Sequence, residues 1–248
     1  MDTRMEPLII AFVLATFLFS AFLKGTAGLG FATTCLGVMA GYLDLRVAIP
    51  LVIIPSLMSN ALVMIEAGDF FRVLKMFRVM LAATIPGLLL GLWILSDAHS
   101  DIPRGVLGIA MVMYGLWGLW GKTVSIGHNP LIATGTGFVT GVVNGLTGSQ
   151  IMPVLPYLMS LPITKDELVQ AINTSFTFSS IIMLAGMGKF GLLSVDVVIL
   201  SVAGIIPVGV GIWLGGKVRR RLPEAVFRRV VLVLLCLLGL SLTGRAFF

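Results

Sequence analysis

The sequence predicts an all-α polytopic membrane protein: eight long transmembrane helices plus two short half-helices, arranged as two homologous, inverted repeats. Three observations predict it. Hydrophobic residues make up 58 % of the 248 and charged residues 11 %, with a mean hydropathy of +1.07; soluble domains hold about a quarter charged residues. Apolar stretches near the ~20 residues needed to cross hydrocarbon recur from end to end. Unusual positions return at a constant shift of 120 residues, as in an internal repeat.

The first apolar stretch is Pro7–Leu23. Its start, "MDTRMEP", lacks the net-positive region of a secretion signal, so we read a retained helix. "KGTAGLG" then breaks the chain before Phe31–Leu43. Thirteen residues rise about 20 Å, short of the ~30 Å hydrocarbon thickness, so this segment is a half-helix. Arg46–Ile65, Val73–Leu95 and Arg104–Trp120 follow as full spans and complete a first repeat, 1–120.

The second repeat, 121–248, opens with Pro130–Val143, which reaches span length only by running on toward "NGLTGSQ". Ile151–Leu161 is the second half-helix, followed by Leu168–Met187, Val195–Leu214 and Val226–Leu242. The shift places Gly25 and Gly28 on Gly145 and Gly148, Met39 on Met159 and Gly68 on Gly188. It also places Gly91–Trp93 on Gly211–Trp213 and Pro103 on Pro223.

Charge decides the orientation of the halves. If the half-helices do not double back, nine bases face seven across the membrane. If each doubles back with the helix before it, the split is eleven to five, the richer side holding Arg72, Lys75, Arg78, Lys122, Lys165 and the bases from Lys217 to Arg229. Cytoplasmic loops carry excess Lys and Arg, so the second arrangement is expected, with inverted halves and both termini outside the cytoplasm.

The broken segments point to function. Backbone N–H and C=O groups freed at membrane depth are tolerated only where protein or a water-filled cavity surrounds them. Free N–H groups and the positive end of a helix dipole together favour an anion. Gly25, Gly28, Gly30, Gly145 and Gly148 would let the backbone approach it, and Thr26, Asn144, Thr147, Ser149 and Gln150 would add side-chain donors. Lys24 is the cationic counterpart, since charge within a membrane is costly and marks function. Asn60, one turn after Ser56, and Asn173 with Thr177, on a polar stripe with Gln170 and Thr174, complete the candidate substrate-binding set. Each has a plainer reading. Glycines and small polar residues also let helices pack closely, a lysine near a span end can snorkel, and a buried asparagine can bond a neighbouring helix.

Other chemistry is expected to be absent. Cys35 and Cys236 lie in apolar segments without metal-ligand spacing, and the thirteen methionines are scattered. Acidic residues sit near segment ends, and no acid, base and nucleophile converge, so neither an enzyme nor a cofactor is expected. The net charge of +6 gathers between spans, most densely in "GGKVRRRLPEAVFRR", which fits a membrane surface rather than nucleic acid.

"GVVNGLTGSQIMPVLPYL" and "LKGTAGLGFATTCLGVMAGY" resemble the two Gly-rich motifs of the sulfite exporter TauE/SafE family. Gly141, Gly145, Gly148, Pro153 and Leu158 take the glycine, proline and apolar positions of one motif, and Gly25, Gly28 and Gly30 the glycine positions of the other. The chain departs at Thr33-Thr34-Cys35, where a proline is frequent, and at Gln150, where glycine often runs on. The resemblance covers nearly the whole length. It implies a multi-pass transporter of the cell membrane, the inner one in a Gram-negative organism, that moves a small anion such as sulfite or an organosulfonate. The implied partners are that anion, membrane lipid, and a proton or sodium ion as a co- or counter-transported species. Monomer and homodimer stay open, as do import and export. The alternative is a membrane-embedded structural or assembly protein whose glycine clusters serve only helix packing.

Overall fold

A computed structural model describes residues 6–27, 30–121, 125–219 and 224–247 of the chain. Those residues form helices and no strands. The order is α1 (Pro7–Ala27), α2 (Phe31–Met39), α3 (Leu45–Ala67), α4 (Phe70–Met76), α5 (Arg78–Asp97) and α6 (Asp101–Trp120), then α7 (Pro130–Thr147), α8 (Val154–Met159), α9 (Lys165–Lys189), α10 (Val195–Ala203), α11 (Ile205–Arg219) and α12 (Glu224–Phe247).

Among the described residues, seven helical stretches are long and apolar enough to cross a membrane, with α10 and α11 together forming one of them. Eight long spans were expected. The remaining segment is α7, an 18-residue helix interrupted by glycines, threonines and Asn144, which is not among the seven. The half-helices are shorter than expected, nine residues in α2 and six in α8. Expected single spans also bend, at Phe77 between α4 and α5 and at Gly204 between α10 and α11.

Local chemistry sets the helix starts. The Asp44 carboxylate accepts from Arg46 N at 2.8 Å to begin α3. Asn129 caps α7, with Pro130 at the first helical position, where its missing N–H costs nothing. Thr164 and Glu167 form a reciprocal capping box on α9. The two breaks turn on glycines in the left-handed region, Gly30 at φ 95° and Gly148 at φ 73°, a conformation other residues adopt only with strain.

Helices pair α5 with α7, α1 with α11, α6 with α12 and α3 with α9. Glycines make the first two pairs close. A Cβ on Gly87 or Gly91 would strike the backbone of Phe138 or Val142, and one on Gly137 or Gly141 that of Met80 or Thr84. Gly211 and Gly215 approach Leu18 and Phe22 in the same way. With no hydrophobic drive between helices in lipid, such close backbone contact is what holds them together. Phe17, Leu36, Met39, Ile49, Leu88 and Met111 are among the largest fully buried side chains, while Trp93, Ile109, Val139, Val210 and Leu240 stand exposed on the outer faces, where lipid would cover them.

Polar contacts gather the connections at two ends. At one, the Phe12 and Tyr42 rings meet at 5.3 Å, Arg104 Nε donates to Ala40 O at 2.9 Å and Arg245 Nη1 to Gly41 O at 2.8 Å. Arg46 there donates to the carbonyls of Leu95 and Ala98. At the other, Arg72 pairs with Glu167 at 2.8 Å and Ile126 N donates to Ser160 O at 2.9 Å.

Candidate substrate site

The tips of the α1–α2 and α7–α8 hairpins meet inside the bundle, where the hydroxyls of Thr33 and Ser149 lie 3.0 Å apart. Beside them is a cavity of about 460 Å³ walled mainly by α2, α3, α8, α9 and α12. Seven of the expected residues line it: Lys24, Gly30, Asn60, Asn144, Gly148, Gln150 and Asn173.

Lys24 lies on the last turn of α1 with 7 % of its surface exposed. Its Nζ donates to Ser59 Oγ at 2.9 Å and to Asn60 Oδ1 at 2.8 Å, both on α3. No carboxylate among the described residues pairs with it. Because Asn60 spends its oxygen on Lys24, its amide nitrogen is left buried without a protein partner. The amide nitrogen of Asn144 is likewise buried and unpartnered. Gln150 donates to Phe176 O at 3.3 Å. Its carbonyl oxygen has no partner. Asn173 donates to Val169 O at 2.8 Å on its own helix.

The other expected residues lie elsewhere. The helices run further than the sequence suggested, so Gly25 and Thr26 belong to α1, and Gly145 and Thr147 to α7. Gly25 abuts Ile212 of α11 and Gly145 abuts Leu88 of α5, so their missing side chains serve helix packing rather than ligand approach. Thr26 donates to Leu23 O at 2.8 Å and Thr147 to Val143 O at 2.6 Å, so both hydroxyls bond their own helices. Ser149 bonds Thr33 across the tips, and Thr177 donates to Met64 Sδ at 3.3 Å. Gly28 lies outside the described residues. The helical period explains the split: successive side chains turn about 100°, so the neighbours of Lys24 and Asn144 face other helices.

Thr33, Ser180, Lys165 and Arg228 also line the cavity but were not in the expected set. The repeat could have pointed to Ser180, which falls on Asn60 at the 120-residue shift, as Asn144 falls on Lys24. Lys165 and Arg228 are exposed, at the starts of α9 and α12, where the cavity reaches the surface. Nothing local in the sequence marks them. The arrangement can hold an oxyanion: one buried ammonium supplies charge, and two buried amide donors supply direction.

Residues 12–242 match the family model described as Sulfite exporter TauE/SafE. No curated protein and no solved structure matches the chain.

Proposed function

The chain belongs to the sulfite exporter TauE/SafE family, whose members are membrane transporters, and from that premise we propose that it is a secondary transporter of a small anion, sulfite or an organosulfonate, in the cell membrane. One observation carries the reading. Lys24 is buried beside a cavity with no carboxylate partner among the described residues, and Asn60 and Asn144, each with a buried and unpartnered amide nitrogen, line the same cavity. A buried cation without a counter-ion is expensive, and a bound anion removes that cost. Packing accounts for Gly25 and Gly145 and for the hydrogen bonds that join Lys24 to α3, but it leaves the buried charge of Lys24 unbalanced.

The halves 1–120 and 121–248 work as inverted repeats in this reading. Supporting it, Phe12 at the start of α1 lies beside Tyr42 at the end of the first hairpin. In the second hairpin, Ile126 before α7 bonds Ser160 after α8. Each hairpin thus returns toward the end it left. The two hairpins leave from opposite ends, because α3 runs away from Tyr42 and α9 starts beside Arg72, which lies just past the far end of α3. Arg72, Lys75, Arg78 and Lys165 gather at the end to which the cavity opens, which the positive-inside rule assigns to the cytoplasm.

Lys165 and Arg228 would attract anions to the mouth, and Lys24, Asn60 and Asn144 would hold them between the tips. Rocking of the hairpins and α3 against α9 then alternates access. The membrane potential favours anion exit by about 2.3 kcal/mol per charge per 100 mV, so export needs no coupled ion. Import would draw on a co-transported proton or sodium ion.

Flux of an anion panel in proteoliposomes, with and without a pH gradient, tests the proposal. Lys24→Met should keep the fold and lose about 30-fold or more in anion affinity, the equivalent of about 2 kcal/mol for a truncated buried charge pair. A folded Lys24→Met protein with parental flux would remove the proposed site.

A further inference from the structure

Lys24 meets two opposed demands in a transport cycle. A bound anion balances its ammonium, but an alternating-access carrier must also return with the site empty. In that state the same ammonium would stand buried without a counter-charge.

The surroundings supply none. On α3, Ser59 Oγ and Asn60 Oδ1 accept from Lys24 Nζ at 2.9 and 2.8 Å, and both groups are neutral. α7 presents Asn144 and has no titratable side chain. α2 carries Cys35, a buried thiol. On α11, which packs against α1, Lys217 lies over the Trp213 ring at 3.5 Å. On α12, Cys236 turns to Val112 O and Arg245 to Gly41 O. Tyr114 of α6 lines the cavity, while Lys165 of α9 and Arg228 of α12 are exposed at its mouth. Glu167 of α9 is paired with Arg72.

The hydrogen bonds at Lys24 suit a group that changes charge. An ammonium has three N–H donors, and an amine has two. Two acceptors hold Nζ, so both bonds survive loss of the third proton, and that proton is the one left for the cavity Lys24 lines. Ser59 spends its own hydroxyl hydrogen on Ser56 O at 2.9 Å, so toward Nζ it only accepts.

We infer that Lys24 is the proton carrier of the transport cycle. Its amine takes a proton from water on the side where the anion enters and crosses as an ammonium–anion pair. It gives that proton to water where the anion leaves, and returns as the neutral amine. This rests on the anion-transporter reading and adds its coupling: one proton moves with each anion, in the same direction. An anion crossing alone would follow the membrane potential. A monoanion crossing with its proton carries no net charge, so the pH gradient drives it instead.

Proteoliposomes holding the full chain and a trapped pH dye count protons, while labelled methanesulfonate counts the anion. Methanesulfonate stays ionised throughout the working pH range and brings no proton of its own. With the potential clamped by potassium and valinomycin, a methanesulfonate gradient should move about one proton per anion in its own direction. Changing the clamped potential should leave that flux unaltered. Lys24→Arg keeps the charge but cannot release it, so it should lose far more net flux than anion exchange. Ser59→Asp gives the ammonium a permanent partner, so the count of protons per anion should fall and the flux should begin to follow the potential.

Methanesulfonate flux with no proton movement, or with protons moving the opposite way, overturns the inference and leaves anion transport standing. Parental net flux in Lys24→Arg also overturns it. If Lys24→Arg does not fold or loses exchange as well, Ser59→Asp decides, and a parental proton count there removes Lys24 as the carrier. Failure of every anion of the flux panel to cross removes the transporter reading and this inference with it.

Discussion

Gly145→Ala separates the two explanations of the glycine clusters. An added Cβ would press on the Leu88 carbonyl oxygen and lie 2.7 Å from Leu92 N and 2.9 Å from the Gly91 carbonyl carbon. Optimal separations between carbon atoms are about 3.5–4.0 Å, so α5 and α7 must part by roughly 1 Å. The obstructing atoms are backbone and have no rotamer through which to turn aside. Gly137 and Gly141 make the same approach from α7, and Gly87 and Gly91 from α5, so a displacement at 145 loosens the whole contact. Overpacking of this kind costs about 1–3 kcal/mol, and Gly145→Val more. Gly135→Ala on the same helix is the control, since its Cβ would meet nothing within 4 Å; it should be neutral or stabilise by up to about 1 kcal/mol. Thermal unfolding of detergent-purified variants, paired with flux per folded molecule, measures both quantities. Gly145→Ala should melt lower than the parent, Gly135→Ala should not, and the Gly145→Ala protein that stays folded should still transport. Parental melting with abolished flux in Gly145→Ala would refute the packing argument and return the 145 backbone to the anion.

Asn144→Ala should weaken anion affinity by roughly 1–3 kcal/mol with little change in melting, because its amide nitrogen has no protein partner to lose; titration and a ligand-free melt check this, and unchanged affinity would remove the residue from the site. Gly148→Ala should lower stability by about 1–2 kcal/mol through its left-handed backbone, and flux as well, since the added Cβ would lie 2.9 Å from Ile49 Cγ1 and Leu36 Cδ1 in the cavity wall. Single cysteines at Lys75, Lys165 and Lys217 in a cysteine-free background should react with an impermeant thiol reagent from the same side; opposite accessibility of 75 and 165 would contradict the inverted arrangement.

The membrane class, the all-helical fold, the place of both chain breaks and the family were legible in the sequence, because each rests on local or additive signals. Composition reports the solvent. Run length reports what can cross it. Glycine clusters report breaks, and Gly30 and Gly148 turn the chain in the left-handed region, although the repeat pairs Gly148 with Gly28, which lies outside the described residues. Lys24, Asn60 and Asn144 stood out because a cation or amide in an apolar run is conspicuous at any depth.

Tertiary structure decided which members of each cluster face the cavity. Along "LKGT" and "NGLT" the sequence makes adjacent residues equal candidates, yet each step turns the side chain about 100° around the axis. Lys24 and Asn144 therefore face the cavity while Gly25 and Gly145 lie against α11 and α5. Packing also brought Lys24 to Asn60 on α3, closed the two tips through Thr33 and Ser149, and set Lys165 and Arg228 at the mouth. None of these is a property of a short segment. Residues far apart in the chain become neighbours only when helices choose their partners, and in lipid that choice is made by the fit of backbone against backbone, which no run length or hydropathy records.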